Sequence, residues 1–188
     1  MTNLGKNKDG KITFGVDPGS VNCGWGAVWS DGNKFELVEY GVIHLAKQEK
    51  EIAPRLKIIF ERLSAKIKDV HPDSFSIESV FFAKNVQSLV KLSHARAAAI
   101  LSASNNDVPV FEYSPNSIKK AVTGKGKASK EQVQFMVKTI LNIKETPDYF
   151  DATDGLAAAI CHLIKSGSDM PKAQNWAQFV KDNPEKVI

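Results

Sequence analysis

The chain has 188 residues, of which 43% are hydrophobic and 24% are charged. This length is sufficient for one domain with its own core, and the composition excludes a mostly disordered chain, a collagen-like protein and a coiled-coil rod. No apolar run approaches the ~20 residues that span a bilayer, and residues 1–10 are too polar for a secretory signal. The two cysteines form no CxxC pair. We therefore expect a soluble cytoplasmic protein with no membrane partner.

The net charge of +4 is concentrated in one short segment. Between residues 119 and 130 there are five lysines and no acid, so the rest of the chain is almost neutral. These lysines are Lys119, Lys120, Lys125, Lys127 and Lys130. A local basic segment favours a polyanionic partner, nucleic acid first. On charge alone, a solvated lysine-rich loop is the simpler interpretation.

The first half of the predicted domain begins as an antiparallel meander. Residues 1–10 form a polar tail, and alternating apolar residues predict strands at 11–17, 24–29 and 35–45. The Asp-Gly-Asn sequence at 31–33 is typical of the turn between the second and third strands. Within the first strand, Asp17 falls on the face opposite Ile12, Phe14 and Val16.

Strands and helices alternate in the remainder. Helical spacing predicts an amphipathic helix at 51–70, and further helices at 85–102, 116–122, after Ser129 and from about Asp151. Strands are predicted at 75–80 and 108–113. The sequence therefore predicts an α/β fold with a mixed five-stranded sheet, three strands antiparallel and then two parallel, flanked by helices. We expect one domain at 11–165 and a C-terminal tail at 166–188.

Four carboxylates are candidates for chemistry. Asp17 and Glu78 each end an apolar strand, so parallel pairing of those strands would place both at the carboxyl edge of the sheet. Asp151 and Asp154 are three residues apart at a helix start and share one face. Taken singly, the aspartates have structural explanations: Asp17 in a Pro-Gly turn, Asp151 as a helix cap and Asp154 near the positive end of the helix dipole.

As a set, the four carboxylates favour metal binding. Glu78 is an acid within an apolar strand, which is unusual for a structural residue. Clustered carboxylates repel one another unless a cation neutralises them. Oxygen ligands of this charge suit Mg²⁺ or Mn²⁺, and two such ions can hold a phosphodiester for hydrolysis.

Five segments carry a resemblance to a known family. They are GVDPGSVNCGWG from Gly15, IESVFFAKN from Ile77, LVKLSHARAAAIL from Leu89, VPVFEYSPNSIKKAVTGKGKASKEQV from Val108 and DATDGLAAAICH from Asp151. With these segments, in this order, the chain resembles the RuvC family of bacterial Holliday-junction resolvases, which have the RNase H-like fold. The resemblance covers about residues 11–165. The longer N-terminal tail and residues 166–188 have no counterpart in the pattern.

The resemblance implies roles for particular residues. The acidic tetrad of the family falls on Asp17, Glu78, Asp151 and Asp154, which would hold two Mg²⁺ or Mn²⁺ ions. Its two lysines near the scissile phosphate fall on Lys119 and Lys130. Its aromatic residue that stacks at the junction crossover falls on Phe81. We expect the remaining DNA contacts from Lys84, Lys120, Lys125 and Lys127.

The resemblance also implies an activity. The implied activity is that of a metal-dependent endodeoxyribonuclease of the bacterial cytoplasm. Such an enzyme resolves four-way DNA junctions by paired symmetric nicks, in homologous recombination and DNA repair. Two cuts need two active sites, so we expect a twofold homodimer, with the alanine-rich helix at 89–103 as the candidate interface, and RuvA–RuvB as the partner. Two alternatives remain open: an RNase H-fold nuclease acting on RNA or another branched DNA, and a catalytically silent junction-binding protein.

Overall fold

The computed structural model describes residues 10–46, 48–79, 85–144 and 150–167. Its strands are β1 (Lys11–Asp17), β2 (Asn22–Ser30), β3 (Phe35–His44), β4 (Ser74–Glu78) and β5 (Val110–Tyr113). Its helices are α1 (Ile52–Val70), α2 (Val86–Ser104), α3 (Pro115–Thr123), α4 (Lys130–Leu141) and α5 (Phe150–Ser166). The order of strands and helices is the one that the sequence predicts.

The strands form a mixed sheet in the order β3-β2-β1-β4-β5. β1 pairs antiparallel with β2, and β2 pairs antiparallel with β3. β4 lies parallel to β1 on the other side, and β5 lies parallel to β4. The predicted mixed sheet is therefore confirmed. β1 and β4 come into register at Val16 and Ile77, which brings their carboxyl ends to the same edge.

Helices cover both faces of the sheet. On one face, α1 and α2 bury an apolar cluster in which the Phe14 ring stacks with Trp25 at 5.4 Å and with Phe75 at 5.9 Å between ring centroids. On the other face, α5 packs across the sheet, and α3 and α4 pack against α5. Leu156 and Ile160 of α5 are fully buried there. Residues 12, 14 and 16 alternate with 13, 15 and 17 as predicted, so Asp17 lies on the α5 face.

The small residues of helix α2 pack against other parts of the same chain. Its buried alanines are Ala95, Ala98, Ala99 and Ala103, and they belong to the cluster shared with α1 and the sheet. The opposite side of α2 carries large apolar residues that are exposed to solvent: Val86 is 70% exposed, Val90 46% and Leu101 59%. Because the buried alanines pack within the chain, only the outer side of α2 is open to a second copy, and the predicted interface at 89–103 stays a prediction.

The lysine-rich segment at 119–130 comprises the end of α3, the connection at 124–129 and the first residue of α4. α3 ends at Gly124, whose φ of 74° is in the left-handed region that glycine adopts readily. The Thr123 hydroxyl donates to the Lys119 and Lys125 carbonyls and accepts from the Lys125 amide. α4 begins with the predicted capping box between Ser129 and Gln132.

Two sequence predictions fall partly outside the described residues. Phe81 and Lys84 lie outside them, as do residues 1–9 and 168–188, so the predicted tails stay predictions. In the part of the chain that the structure describes, no helix is long and apolar enough to cross a membrane.

Candidate active site at the carboxyl edge of the sheet

The two strand acids meet as the sheet prediction requires. Asp17 ends β1 and Glu78 ends the parallel neighbour β4. Two residues before Glu78, the Ser76 hydroxyl donates to the Ala158 carbonyl of α5 at 2.7 Å. Since side chains alternate along a strand, Ser76 and Glu78 both face α5, as Asp17 does. The Asp17 and Glu78 side chains are both partly buried.

Helix α5 brings the other two acids to the same edge. Asp151 and Asp154 lie in its first turns and are partly buried. The close approach depends on glycines: a Cβ at Gly24 would overlap the Asp151 carbonyl, and a Cβ at Gly155 would lie 2.7 Å from the Trp25 Cα. The backbone of α5 therefore lies directly on β2, which carries Asp151 and Asp154 to the end of β1.

The carboxylates influence one another electrostatically. Burial raises the pKa of Asp17 well above its usual range, and the nearby charges of Asp154 and Glu78 raise it further. Burial and then Asp154 raise the pKa of Glu78. Burial also raises the pKa of Asp154, against the lowering effect of Lys130. Several acids that resist ionisation side by side are typical of a site built for a cation.

Lysines supply the positive charge at this edge. The Lys130 ammonium donates to Asp154 Oδ2 at 3.1 Å. Burial lowers the pKa of Lys130, but Asp154, Asp17 and Asp151 outweigh this effect and raise the pKa overall. Lys119 is close enough to lower the pKa of Glu78 and of Asp154. Lys119 and Lys130 therefore lie beside the acids, whereas Lys120, Lys125 and Lys127 are exposed to solvent.

The donor chemistry of these side chains fits a hard divalent cation. Four carboxylates from β1, β4 and α5 offer oxygen donors of the kind that Mg²⁺ and Mn²⁺ prefer. Within residues 10–46, 48–79, 85–144 and 150–167, no three His, Cys, Asp or Glu side chains stand ready to enclose an ion. One of the four carboxylates, Asp154, is paired with the Lys130 ammonium in this arrangement.

Contacts made by three residues at this edge were not predicted from the sequence. Asn22 of β2 donates to Asp151, and His44 of β3 contacts Asn22. Arg96 of α2 donates from Nε to the Glu78 carbonyl at 3.2 Å and pairs through Nη2 with Glu112 at 2.5 Å. A polar residue two positions before Gly24 was the available signal for Asn22, and an arginine among alanines was the signal for Arg96.

The raised pKa values predict how metal-free stability depends on pH. The folded chain keeps protons on Asp17, Glu78 and Asp154 at pH values where the unfolded chain, with carboxyl pKa values of about 4, has released them. Because the folded state binds more protons, these groups lower the free energy of unfolding as pH rises from about 4 through the raised pKa values. We expect Asp17→Asn to match the wild type near pH 4 and to melt at a higher temperature at pH 7 in EDTA. Equal melting temperatures at both pH values would contradict this electrostatic picture.

Comparison with known proteins identifies the family. The family model "Crossover junction endodeoxyribonuclease RuvC" matches residues 13–162. The RuvC of Cytophaga hutchinsonii is 45% identical over 177 residues, covering 94% of this chain and 88% of that protein. Two structures of Thermus thermophilus RuvC, one alone and one in complex with Holliday junction substrate, are 30% and 29% identical, with TM-scores of 0.75 and 0.78. Each comparison covers 85% of this chain and 97% of the Thermus chain.

These matches agree with the site and with the sheet. They span β1, β4 and α5, which carry all four acids, and they confirm the predicted RNase H-like fold. The chain belongs to the RuvC family of crossover junction endodeoxyribonucleases.

Proposed function

We propose that this protein is a metal-dependent endonuclease that cuts four-way DNA junctions by paired symmetric nicks, in recombination and repair. The observation that carries the proposal is the meeting of Asp17, Glu78, Asp151 and Asp154 at one edge of an RNase H-like sheet, beside Lys130. Family membership supports the substrate, because a Thermus relative of the same fold was solved with a Holliday junction.

The four acids are the proposed ligands of two Mg²⁺ or Mn²⁺ ions. Bound there, the ions would supply an activated water and neutralise the charge on the leaving oxygen. The water oxygen forms a new bond to phosphorus as the bond from phosphorus to the 3′ oxygen breaks, which leaves a 5′-phosphate and a 3′-hydroxyl.

Lys119 and Lys130 are proposed to stabilise charge on the reacting phosphate. Both lie beside the acids, and the pKa of Lys130 is raised by Asp154 against the effect of burial, so Lys130 carries a full positive charge at neutral pH. A positioned cation at a phosphate that gains charge lowers the barrier more than it tightens ground-state binding. Removal of either ammonium should therefore reduce turnover more than junction affinity.

The remaining basic residues are proposed to hold the DNA arms. Lys120 is exposed in the last turn of α3, and Lys125 and Lys127 are exposed on the α3–α4 connection, before Lys130. Phe81 and Lys84 follow Glu78 in the sequence and are proposed to contact the crossover, with the Phe81 ring stacking on a base.

Assembly is the third element of the proposal. Two symmetric cuts require a twofold dimer, and Val86, Val90 and Leu101 on the outer side of α2 are the proposed contact surface. The spacing of these residues places them within one narrow stripe of the helix, opposite the buried alanines. We propose that the dimer works with the RuvA–RuvB complex in the bacterial cytoplasm.

The lysine connection should determine how salt affects binding. A Lys125→Ala/Lys127→Ala variant is expected to lower the slope of log affinity against log salt by roughly one for each lost phosphate contact. A Lys57→Ala/Lys68→Ala variant, which removes the same charge from α1, serves as the control. Fluorescence anisotropy with a labelled junction in Ca²⁺ at several salt concentrations measures both slopes. Equal slopes for the two variants would exclude the connection from the DNA interface.

A substrate panel tests the proposed function itself. Purified protein is incubated with a synthetic four-way junction, a linear duplex, a three-way junction and an RNA–DNA hybrid, with Mg²⁺ or with EDTA. We expect Mg²⁺-dependent paired nicks in the four-way junction and little cutting elsewhere. Preferential cleavage of the hybrid or the three-way junction would favour the alternative nuclease. Junction binding with no cleavage in Mg²⁺ or Mn²⁺ would favour a silent binding protein.

A further inference from the structure

A chain of two side-chain hydrogen bonds leads from β3 to one of the proposed metal ligands. His44 Nδ1 lies 3.2 Å from Asn22 Oδ1, and Asn22 Nδ2 donates to Asp151 Oδ2 at 3.1 Å. All three side chains are partly buried. Both polar atoms of the Asn22 side chain thus make hydrogen bonds at the candidate active site. Among the described residues, no asparagine side chain donates in this way to the carboxylate of Asp17 or Glu78.

The backbone explains why Asn22 reaches Asp151. Asn22 and His44 are direct partners in the β2–β3 register, so their side chains leave the sheet side by side. Gly24, two residues along β2, shares the face of Asn22 and lies against the Asp151 carbonyl. The missing Cβ at Gly24 lets α5 approach β2, and the Asn22 side chain then spans the short distance to the Asp151 carboxylate.

The chemistry of the groups fixes the direction of both bonds. An ionised aspartate only accepts hydrogen bonds, so Asn22 must present its NH₂ group to Asp151. The Asn22 oxygen therefore faces His44, and the Nδ1 of His44 must carry a proton in order to donate. One Asp151 oxygen is engaged and oriented in this way, which leaves the other for a cation.

We propose that Asn22, itself held by His44, is a positioning residue that orients Asp151 for metal binding. This inference rests on the proposed function, because Asp151 needs a fixed orientation only if it is a ligand. Partners that hold a metal ligand from behind contribute about 10- to 100-fold to metal affinity or activity in other sites.

The backbone next to Asn22 is held by hydrogen bonds that do not involve the Asn22 side chain. Arg55 Nη1 donates to the Ser20 carbonyl at 2.8 Å, and the Val21 carbonyl accepts from the Leu45 amide at 2.9 Å. We therefore expect the backbone path of β2 to stay the same when the Asn22 side-chain amide is removed. A positioning role predicts a defect in metal binding without a matching loss of stability.

The test measures Mn²⁺ binding to the DNA-free protein by electron paramagnetic resonance. We expect Asn22→Ala to weaken Mn²⁺ binding by about 10-fold or more, with little change in melting temperature. The Mg²⁺ concentration that gives half-maximal junction cleavage should rise by a similar factor, and saturating Mg²⁺ should restore most of the rate. Asn22→Leu keeps the branched side-chain shape without its polar atoms and should show the same defect. Asn33→Ala, in the exposed β2–β3 turn, should match the wild type.

His44 is tested through a double-mutant cycle. Since His44 acts through Asn22, His44→Ala should weaken Mn²⁺ binding less than Asn22→Ala does, and the double variant should be no worse than Asn22→Ala alone. Additive losses would overturn the role assigned to His44.

The outcomes separate this inference from the proposed function. Wild-type Mn²⁺ affinity in Asn22→Ala, alongside lost affinity in Asp17→Asn, would overturn the role of Asn22 alone. Loss of cooperative unfolding in both Asn22 variants would make Asn22 a structural residue and would also overturn it. A wild-type protein that neither binds Mn²⁺ nor cuts junctions would contradict the proposed function, and the inference with it.

Discussion

Replacement of Asp17 by asparagine is expected to reduce junction cleavage by more than about 100-fold while junction affinity stays near the wild-type value. Asparagine preserves the shape of the side chain but removes the negative charge that attracts a divalent cation. Asp17 lies at the end of β1 among the other acids, where the pKa is raised first by burial and then by Asp154 and Glu78. The variant should therefore fold at least as well as the wild type without metal.

Three measurements on one preparation check this prediction. Cleavage is measured in Mg²⁺, junction affinity in Ca²⁺ and melting temperature in EDTA. Asp69→Asn removes the same charge from an exposed position on α1 and should leave all three unchanged. Cleavage by Asp17→Asn within a few-fold of the wild-type rate would show that Asp17 is not part of the metal site.

The second large effect is expected at Gly155, where α5 touches β2. An added Cβ would lie 2.7 Å from the Trp25 Cα and 2.9 Å from its backbone N and C atoms. These are backbone atoms of a central strand, so they have no alternative rotamer. Overpacking a core commonly destabilises a protein by about 1–3 kcal/mol, and we expect Gly155→Ala to reach about 3 kcal/mol because the backbone itself must move.

The movement of α5 that the added Cβ at Gly155 causes should also affect activity. Asp151 and Asp154 belong to the same helix, so a shift of α5 away from β2 moves both acids from the edge of the sheet. Urea denaturation and cleavage assays measure the two effects. Gly126→Ala is the matched control for stability, because its Cβ would meet the Asn116 carbonyl at an ordinary 3.5 Å. Equal stability of the two variants would contradict the tight α5–β2 contact.

Periodicity predicted the scaffold of the site well. Alternation at residues 12, 14 and 16 placed Asp17 on the face that proves to carry α5. The predicted limits of a strand differ from the observed ones where local hydrogen bonding decides where the strand begins. β5 begins at Val110, two residues later than predicted, because Pro109 has no amide hydrogen for the sheet and the Val108 amide bonds to the Ala103 carbonyl at the end of α2.

Contacts between distant parts of the chain were not predictable in the same way. Asn22 and Asp151 are 129 residues apart, and their hydrogen bond depends on where α5 crosses the sheet. The alanines of α2 illustrate a related ambiguity, since a stripe of small residues permits close packing either inside the chain or against a second copy. Composition alone does not distinguish these two surroundings.

The most direct test of the account is a crystal of the protein soaked in Mn²⁺ and measured at an X-ray wavelength where manganese scatters anomalously. The account predicts anomalous density between the carboxylates of Asp17, Glu78, Asp151 and Asp154, and loss of that density in Asp17→Asn crystals treated in the same way. Density elsewhere on the protein, or none at the carboxyl edge of the sheet at saturating Mn²⁺, would contradict the assignment of these four acids as the metal centre.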